Sequence, residues 1–247
     1  MKRALCLLFS LLLLSACAST PEPADENARA GQLYASAQSA LERGDYSTAV
    51  SRLESLEARY PFGTYAEQAQ LDIIYAYHKM DEAESAVAAA ERFVRLNPRH
   101  PRVDYAWYMK GVAEQERGND FLGEMFDLDR AARDPEPLRR AFEAFRTLVQ
   151  RHPESEYVAD ARERMTTLRD QLARHELMIA RFYADRQAWV AAANRATGLV
   201  RDFEGTPALA PALQLLERAY GELEMPELRE DIRRILRTNG ITVPERT

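Results

Sequence analysis

Apolar residues recur at helical spacing along most of this chain, and one arrangement of small and large ones repeats. The turn residue Gly44 is followed by Tyr46, by the small Ala49, by Leu53 and Leu56 on the same face, and finally by Pro61. The same offsets recur as Asp81, Ala86, Ala90, Phe93 and Pro98. A small residue at Ala49 or Ala86 lets two antiparallel helices approach closely, the larger residues fill the groove beside it, and the proline ends the second helix. Neither helix pair can bury its apolar face alone, so the pattern predicts hairpins that stack.

These offsets are those of the second half of a tetratricopeptide repeat. Helices are predicted over 33–43, 46–60, 67–79, 82–96, 103–117, 138–151, 156–183, 208–223 and 226–238, with a further one carrying Trp189, Ala192, Ala196 and Leu199. Ala141, Phe145 and Leu148 resume the small-large-large order before Pro153. Pro98 and Pro153 stand further apart than a standard repeat of about 34 residues allows, which places an insertion of roughly twenty at 118–137. Asn239-Gly240 is a helix stop. The expected fold is all-α, a tetratricopeptide-repeat superhelix of about five helical hairpins. Its amino-terminal half spans 31–155, its carboxyl-terminal half 156–240, and 241–247 is a frayed tail.

Composition narrows this further. Ten glycines and twelve prolines among 247 residues are too few for a β-rich or disordered protein, and alternating strand patterns are nearly absent. The formal charge is −6. It becomes about −8 without Lys2 and Arg3, so the chain has no electrostatic attraction for nucleic acid or an anionic membrane.

Those two cations precede an apolar run, Ala4 to Leu14, too short to span a bilayer and suited to a secretory signal. Leu14-Ser15-Ala16-Cys17 follows, the lipobox of a bacterial lipoprotein. Residues 1–16 are therefore read as a signal peptide and Cys17 as the lipidated residue, against an ordinary signal cut with Cys17 incidental. Several acyl chains hold where one is marginal. Cys6 leaves with the signal, so no intramolecular disulfide remains. Ala18 after the lipidated position points by resemblance to outer-membrane sorting, and 17–30, with Pro21 and Pro23, reads as a flexible tether.

Catalytic signatures are missing. The histidines His78, His100, His152 and His175 include no HExxH pair, and His100 and His152, each before a turn proline, read as caps at helix carboxyl ends. Asp127-Leu128-Asp129 lacks the ligand and glycine that Ala131 and Ala132 replace in a calcium loop. No phosphate loop or nucleophile elbow occurs. The reading is no enzyme, no metal and no cofactor. Aromatics are more telling: Tyr60, Phe62 and Tyr65 at the first corner, with Tyr75, Tyr77, Tyr105, Trp107 and Tyr108, exceed one core seam. Either some are exposed to take an extended peptide, with Tyr60, Phe62 and Tyr65 the most exposed, or all are inter-repeat core. The insertion's Phe121, Leu122, Met125, Phe126 and Leu128 are a plug, a partner contact or a packed loop. Arg186, Arg195 and Arg201 are a solvated face or partner ion pairs.

Taken together, the lipobox and repeats resemble the BamD family, lipoproteins of the outer-membrane β-barrel assembly machinery. The resemblance rests on Arg59-Tyr60-Pro61-Phe62-Gly63, Gln70-Leu71-Asp72, Ile74-Tyr75-Ala76-Tyr77 and Arg95-Leu96-Asn97-Pro98 with His100-Pro101. It continues through Asp104-Tyr105, Tyr108-Met109 with Gly111, Asp129-Arg130, Arg133-Asp134-Pro135, Ala188-Trp189-Val190 and Asn194-Arg195. The match is weakest at the carboxyl-terminal pair, where Gln187 replaces a turn glycine. The resemblance implies a lipid-anchored adaptor on the periplasmic face of the outer membrane. Its amino-terminal half would bind unfolded outer membrane proteins through Tyr60, Phe62 and Tyr65. Its carboxyl-terminal half would grip the periplasmic domains of the barrel subunit, BamA, through Arg186 and Arg195, beside other lipoproteins of the complex. The competing reading is a tetratricopeptide lipoprotein that scaffolds cell-wall enzymes.

Overall fold

The computed structural model describes residues 23–117 and 134–242. Cys17 and most of the expected insertion lie outside the described residues. Ten helices and no strand occur among the described residues: α1 (Pro23–Glu42), α2 (Tyr46–Arg59), α3 (Thr64–Lys79), α4 (Ala83–Leu96), α5 (Val103–Glu116), α6 (Glu136–Arg151), α7 (Val158–Asp185), α8 (Trp189–Asp202), α9 (Leu209–Glu222) and α10 (Pro226–Thr238). The fold is all-α and of tetratricopeptide type. By internal packing the chain divides into two units, one ending at Ala76 and one beginning at Tyr77.

The hairpin turns follow one rule. Gly44, Asp81, Gln187 and Glu224 have φ of 73°, 57°, 60° and 55°. Each stands two residues before a second helix, and Asp81 follows Gly44 by as many residues as Glu224 follows Gln187. The next residue's amide reaches back to the preceding helix, from Asp45 to the Ala40 carbonyl, Glu82 to Tyr77, Ala188 to Tyr183 and Met225 to Tyr220, at 2.9–3.0 Å. This is the left-handed helix stop, which satisfies carbonyls that would otherwise be orphaned. The departure at Gln187 is thus a change of residue and not of backbone.

Four of the second helices, α2, α4, α6 and α8, end as regularly. Their cap residues Tyr60, Asn97, His152 and Phe203 donate their amides to the carbonyls of Leu56, Phe93, Leu148 and Leu199. Those four acceptors are the large residues of the sequence pattern, each at most 1% exposed, and Ala49, Ala86, Ala141 and Ala192 are fully buried. In the first unit α1 packs on α2. In the second unit each helix from α4 to α10 packs on the next, and α7 also meets α9. Leu199 accordingly sits among Ala173 and Leu177 of α7, Ala208 at the cap of α9 and Ala212 within it. Gly111 of α5 is buried because α6 presses on it: a Cβ there would lie 2.5 Å from the Phe145 ring.

Several expectations shift. The part of the expected tether from Pro23 onward is helical, since proline suits the first helical position, where an amide has no partner anyway. His152 caps α6 through its backbone. His100 does not cap α4, whose cap is Asn97; its Nδ1 accepts the amide of Arg102, just before α5, at 3.0 Å. The tail begins held, with the Ile241 amide on the Leu236 carbonyl and the Thr242 carbonyl accepting from Gln214. Buried charges went unforeseen. Glu114, 1% exposed, receives Arg117 and Arg140, and Glu217 receives Arg229 and Arg233 on a single oxygen.

A non-glycine residue in the left-handed region costs roughly 1–2 kcal/mol, part of which glycine returns as unfolded-state entropy. Gln187→Gly is expected to raise the unfolding free energy in urea by about 0.5–1 kcal/mol. Gly111→Ala is expected to lower it by about 1–3 kcal/mol through overpacking against Phe145.

Candidate functional site

The corner between α2 and α3 is built by three backbone features. Tyr60 caps α2, Gly63 turns the chain with φ 98°, and the Gly63 carbonyl receives the amides of Ala66 and Glu67 to start α3. Pro61 and Phe62 are left at the tip of the loop. Beside them a cleft of about 260 Å³ opens, lined by residues 59–65 and by Glu26, Asn27 and Ala30 of α1.

The three aromatics divide within it. Phe62 is 90% exposed, whereas Tyr60 and Tyr65 are half-buried. Of the three residues expected to be the most exposed of these aromatics, Phe62 is so, whereas Tyr75, 40% exposed, is more open than Tyr60 or Tyr65. Tyr65 is held by α1, its ring 5.5 Å from that of Tyr34. Gly31 makes room for it, since a Cβ there would come within 3.0 Å of the Tyr65 hydroxyl. Below, Tyr34 and Gln38 of α1 donate to one Asp72 oxygen at 2.8 and 2.6 Å, and Gln68 donates to the other at 2.9 Å. Charge-assisted bonds of this kind fix α1 on α3 and with them one wall of the cleft.

The remaining aromatics are mostly taken up by packing. Tyr108 stacks on Tyr157 at 4.7 Å and donates to Asp160 at 2.8 Å, and Tyr105 tilts onto the same ring. Trp107 packs on the core around Phe145, Tyr77 on that around Ala86, and Tyr75 is 40% exposed with its edge to Tyr46. Burial, and then the bond to Asp160, push the Tyr108 phenol up. Burial would also raise the Asp160 carboxyl, but bonds from Arg164 and Tyr108 outweigh it and hold that carboxyl below its usual range.

Arg186 and Arg195 are not brought together as a pair. Arg186, in the turn after α7, lies 3.5 Å over the Phe182 ring and donates to the Phe182 carbonyl. Arg195 of α8 donates to Glu176 of α7 at 3.1 Å, and Arg139 of α6 takes the other Glu176 oxygen at 3.2 Å. Arg201 is closed on Asp202 by two bonds that lower that carboxyl. Sequence reasoning missed Glu176, which there is only a neighbour of His175, and Arg139. With Arg195 they lie on three different helices, and no local spacing in the chain pairs them. Among the described residues no cluster of His, Cys, Asp and Glu could hold a metal ion, and no helix is long and apolar enough to cross a membrane.

The model of the YfiO family, described as outer membrane lipoprotein, matches residues 26–235. The chain is 41% identical over 234 residues to the outer membrane protein assembly factor BamD of Vibrio cholerae, covering 95% of this chain and 97% of that one. To the factor of the same name from Neisseria gonorrhoeae it is 44% identical, covering 92% of this chain and 87% of the other. To that of Haemophilus influenzae it is 36% identical, covering 96% and 90%. Among solved structures it is similar to the MamA protein, with a TM-score of 0.41 at 14% identity over 85% of this chain and 90% of that one.

Because Phe62 has almost no intramolecular contact to lose, Phe62→Ala is expected to change thermal stability by less than about 0.5 kcal/mol. Tyr65→Ala, which strips packing from α1, is expected to cost about 1–2 kcal/mol in the same melts. A carboxyl depressed in the folded state stabilises it above the usual carboxylate range and stops doing so as pH falls through the lowered value. Asp160→Asn is therefore expected to reduce stability near neutrality and to flatten its decline in acid, as read from melting temperature against pH.

Proposed function

This chain belongs to the YfiO family of outer membrane lipoproteins and is related over nearly its whole length to BamD assembly factors, and we propose that it serves outer membrane protein assembly as an adaptor. It is a non-enzymatic subunit of the insertase complex, anchored by lipid on Cys17 at the periplasmic face of the outer membrane. It has no nucleic-acid partner. One cleft takes an extended, aromatic-ended segment of an unfolded barrel protein while the carboxyl-terminal helices hold the barrel subunit, BamA, beside the other lipoproteins of the complex. Holding client and insertase on one scaffold raises their effective concentration for each other.

The observation that carries this reading is Phe62, 90% exposed at the mouth of an aromatic cleft. A large apolar side chain held in water by a backbone that caps one helix and starts the next gains free energy when a partner covers it, about 1.5–3 kcal/mol for full burial. Tyr60 and Tyr65 supply walls with polar tips, suited to a segment that is apolar on one side and hydrogen-bonding along its backbone. Arg186 and Arg195 stand in the second unit as contacts for the barrel subunit, and their exposed guanidinium forks suit carboxylates of a partner.

Phe62→Ala is expected to weaken binding of a carboxyl-terminal barrel peptide by roughly ten- to a hundredfold in a fluorescence titration. Unchanged affinity would move the client site elsewhere. Arg195→Glu is expected to release the barrel subunit's periplasmic domains in a pull-down, and full recovery removes Arg195 from that interface.

A further inference from the structure

Each described glycine but one has a reason inside the chain to lack a side chain. Gly44, Gly63, Gly205 and Gly240 have positive φ, which glycine adopts without steric cost. Gly31, Gly111 and Gly221 lie in helices where a Cβ would come within 3.0 Å of the Tyr65, Phe145 and Arg229 side chains. Gly198 belongs to neither group. It stands in the interior of α8, and among the described residues no atom of a neighbouring helix lies within 4 Å of where its Cβ would be. Glycine is a poor helix residue, so alanine here would strengthen α8, and nothing in the fold forbids it.

Gly198 lines an open cleft of about 390 Å³, together with Asn194 and Arg195 of the same helix and Glu176 of α7. Asn194 precedes it by one helical turn and Arg195 by three residues, so all three fall on neighbouring positions of one face. Asn194 is exposed, and its carboxamide has no partner among the described residues. A carboxamide offers donor and acceptor side by side, the complement of a peptide unit. A glycine next to it lets another main chain come close enough to use both.

We infer, on the reading that Arg195 belongs to the barrel subunit's interface, that Gly198 is where the docked barrel subunit comes closest to α8, with a stretch of the partner's main chain lying across the missing side chain and paired with Asn194. A side chain at 198 would hold the partner away from Asn194 and Arg195 together. A residue with no polar group of its own thereby selects which surfaces can seat there.

The test titrates the full mature chain in detergent with the purified periplasmic domains of the barrel subunit and melts the same samples. Gly198→Ala is expected to raise the melting temperature of the chain alone by about 2–4 °C and yet to weaken binding about tenfold. Gly198→Gln, whose longer side chain also suits a helix, is expected to fold and to weaken binding about a hundredfold. Asn194→Leu, similar in volume, is expected to weaken it about tenfold. A glycine needed by the fold would lose stability on gaining a side chain, whereas one kept for a partner gains stability and loses the partner. Unchanged affinity in both Gly198 variants, or in Asn194→Leu, while Arg195→Glu abolishes binding, overturns the proposal alone. Absence of binding by the unaltered chain, or binding indifferent to Arg195→Glu, overturns the reading beneath it and the proposal with it.

Discussion

Close approach of helices at Ala49, Ala86, Ala141 and Ala192 is the constraint on which the rest of the molecule depends. Each of these alanines is fully buried, and each is followed by large side chains that fill the groove its small size opens. No disulfide is expected in the mature chain and no hairpin can bury its face alone, so stability accumulates interface by interface. A larger residue at any of these positions would separate two helices and, through them, the repeats on either side.

The same geometry fixes the turns. With the helices of a pair held close, the chain must reverse in very few residues, and the left-handed stop does so whether the residue is Gly44, Asp81, Gln187 or Glu224. Four second helices, α2, α4, α6 and α8, then end in a cap whose amide returns to the carbonyl of a fully buried large residue. Repetition at this level gives the loops between repeats a constant starting point and leaves their tips free to differ. At the first tip that freedom is used to hold Phe62 in water.

Charge has a more local role. Glu114, Glu176 and Glu217 each receive two arginines, and apart from Arg117, which reaches Glu114 within one helix end, these come from helices that are neighbours in the chain. A buried carboxylate with two guanidinium partners adds little net stability over an apolar contact, yet losing a partner is costly, so such groups enforce one arrangement of the helices. They also decide which arginines remain for other work. Arg140 and Arg201 are consumed internally, and Arg139 and Arg195 share one acid.

Legible in the chain were the helices from residue 33 onward, though not the first turns of α1 from Pro23, with the small-large-large positions of the second helices and the aromatic corner, because each of these is local or periodic. Even the break at Gln187 was visible as a missing glycine, although its backbone was not, since φ is imposed by the turn and not by the residue. Only the tertiary structure separated Phe62 from Tyr65, because what differs between them is Gly31 and Tyr34, residues of another helix. It also decided that Tyr105 and Tyr108 stack on Tyr157 and that Arg195 shares Glu176 with Arg139. Burial and ion pairing are properties of residues distant in the chain and adjacent in space, and helical periodicity carries no record of which distant residues those will be.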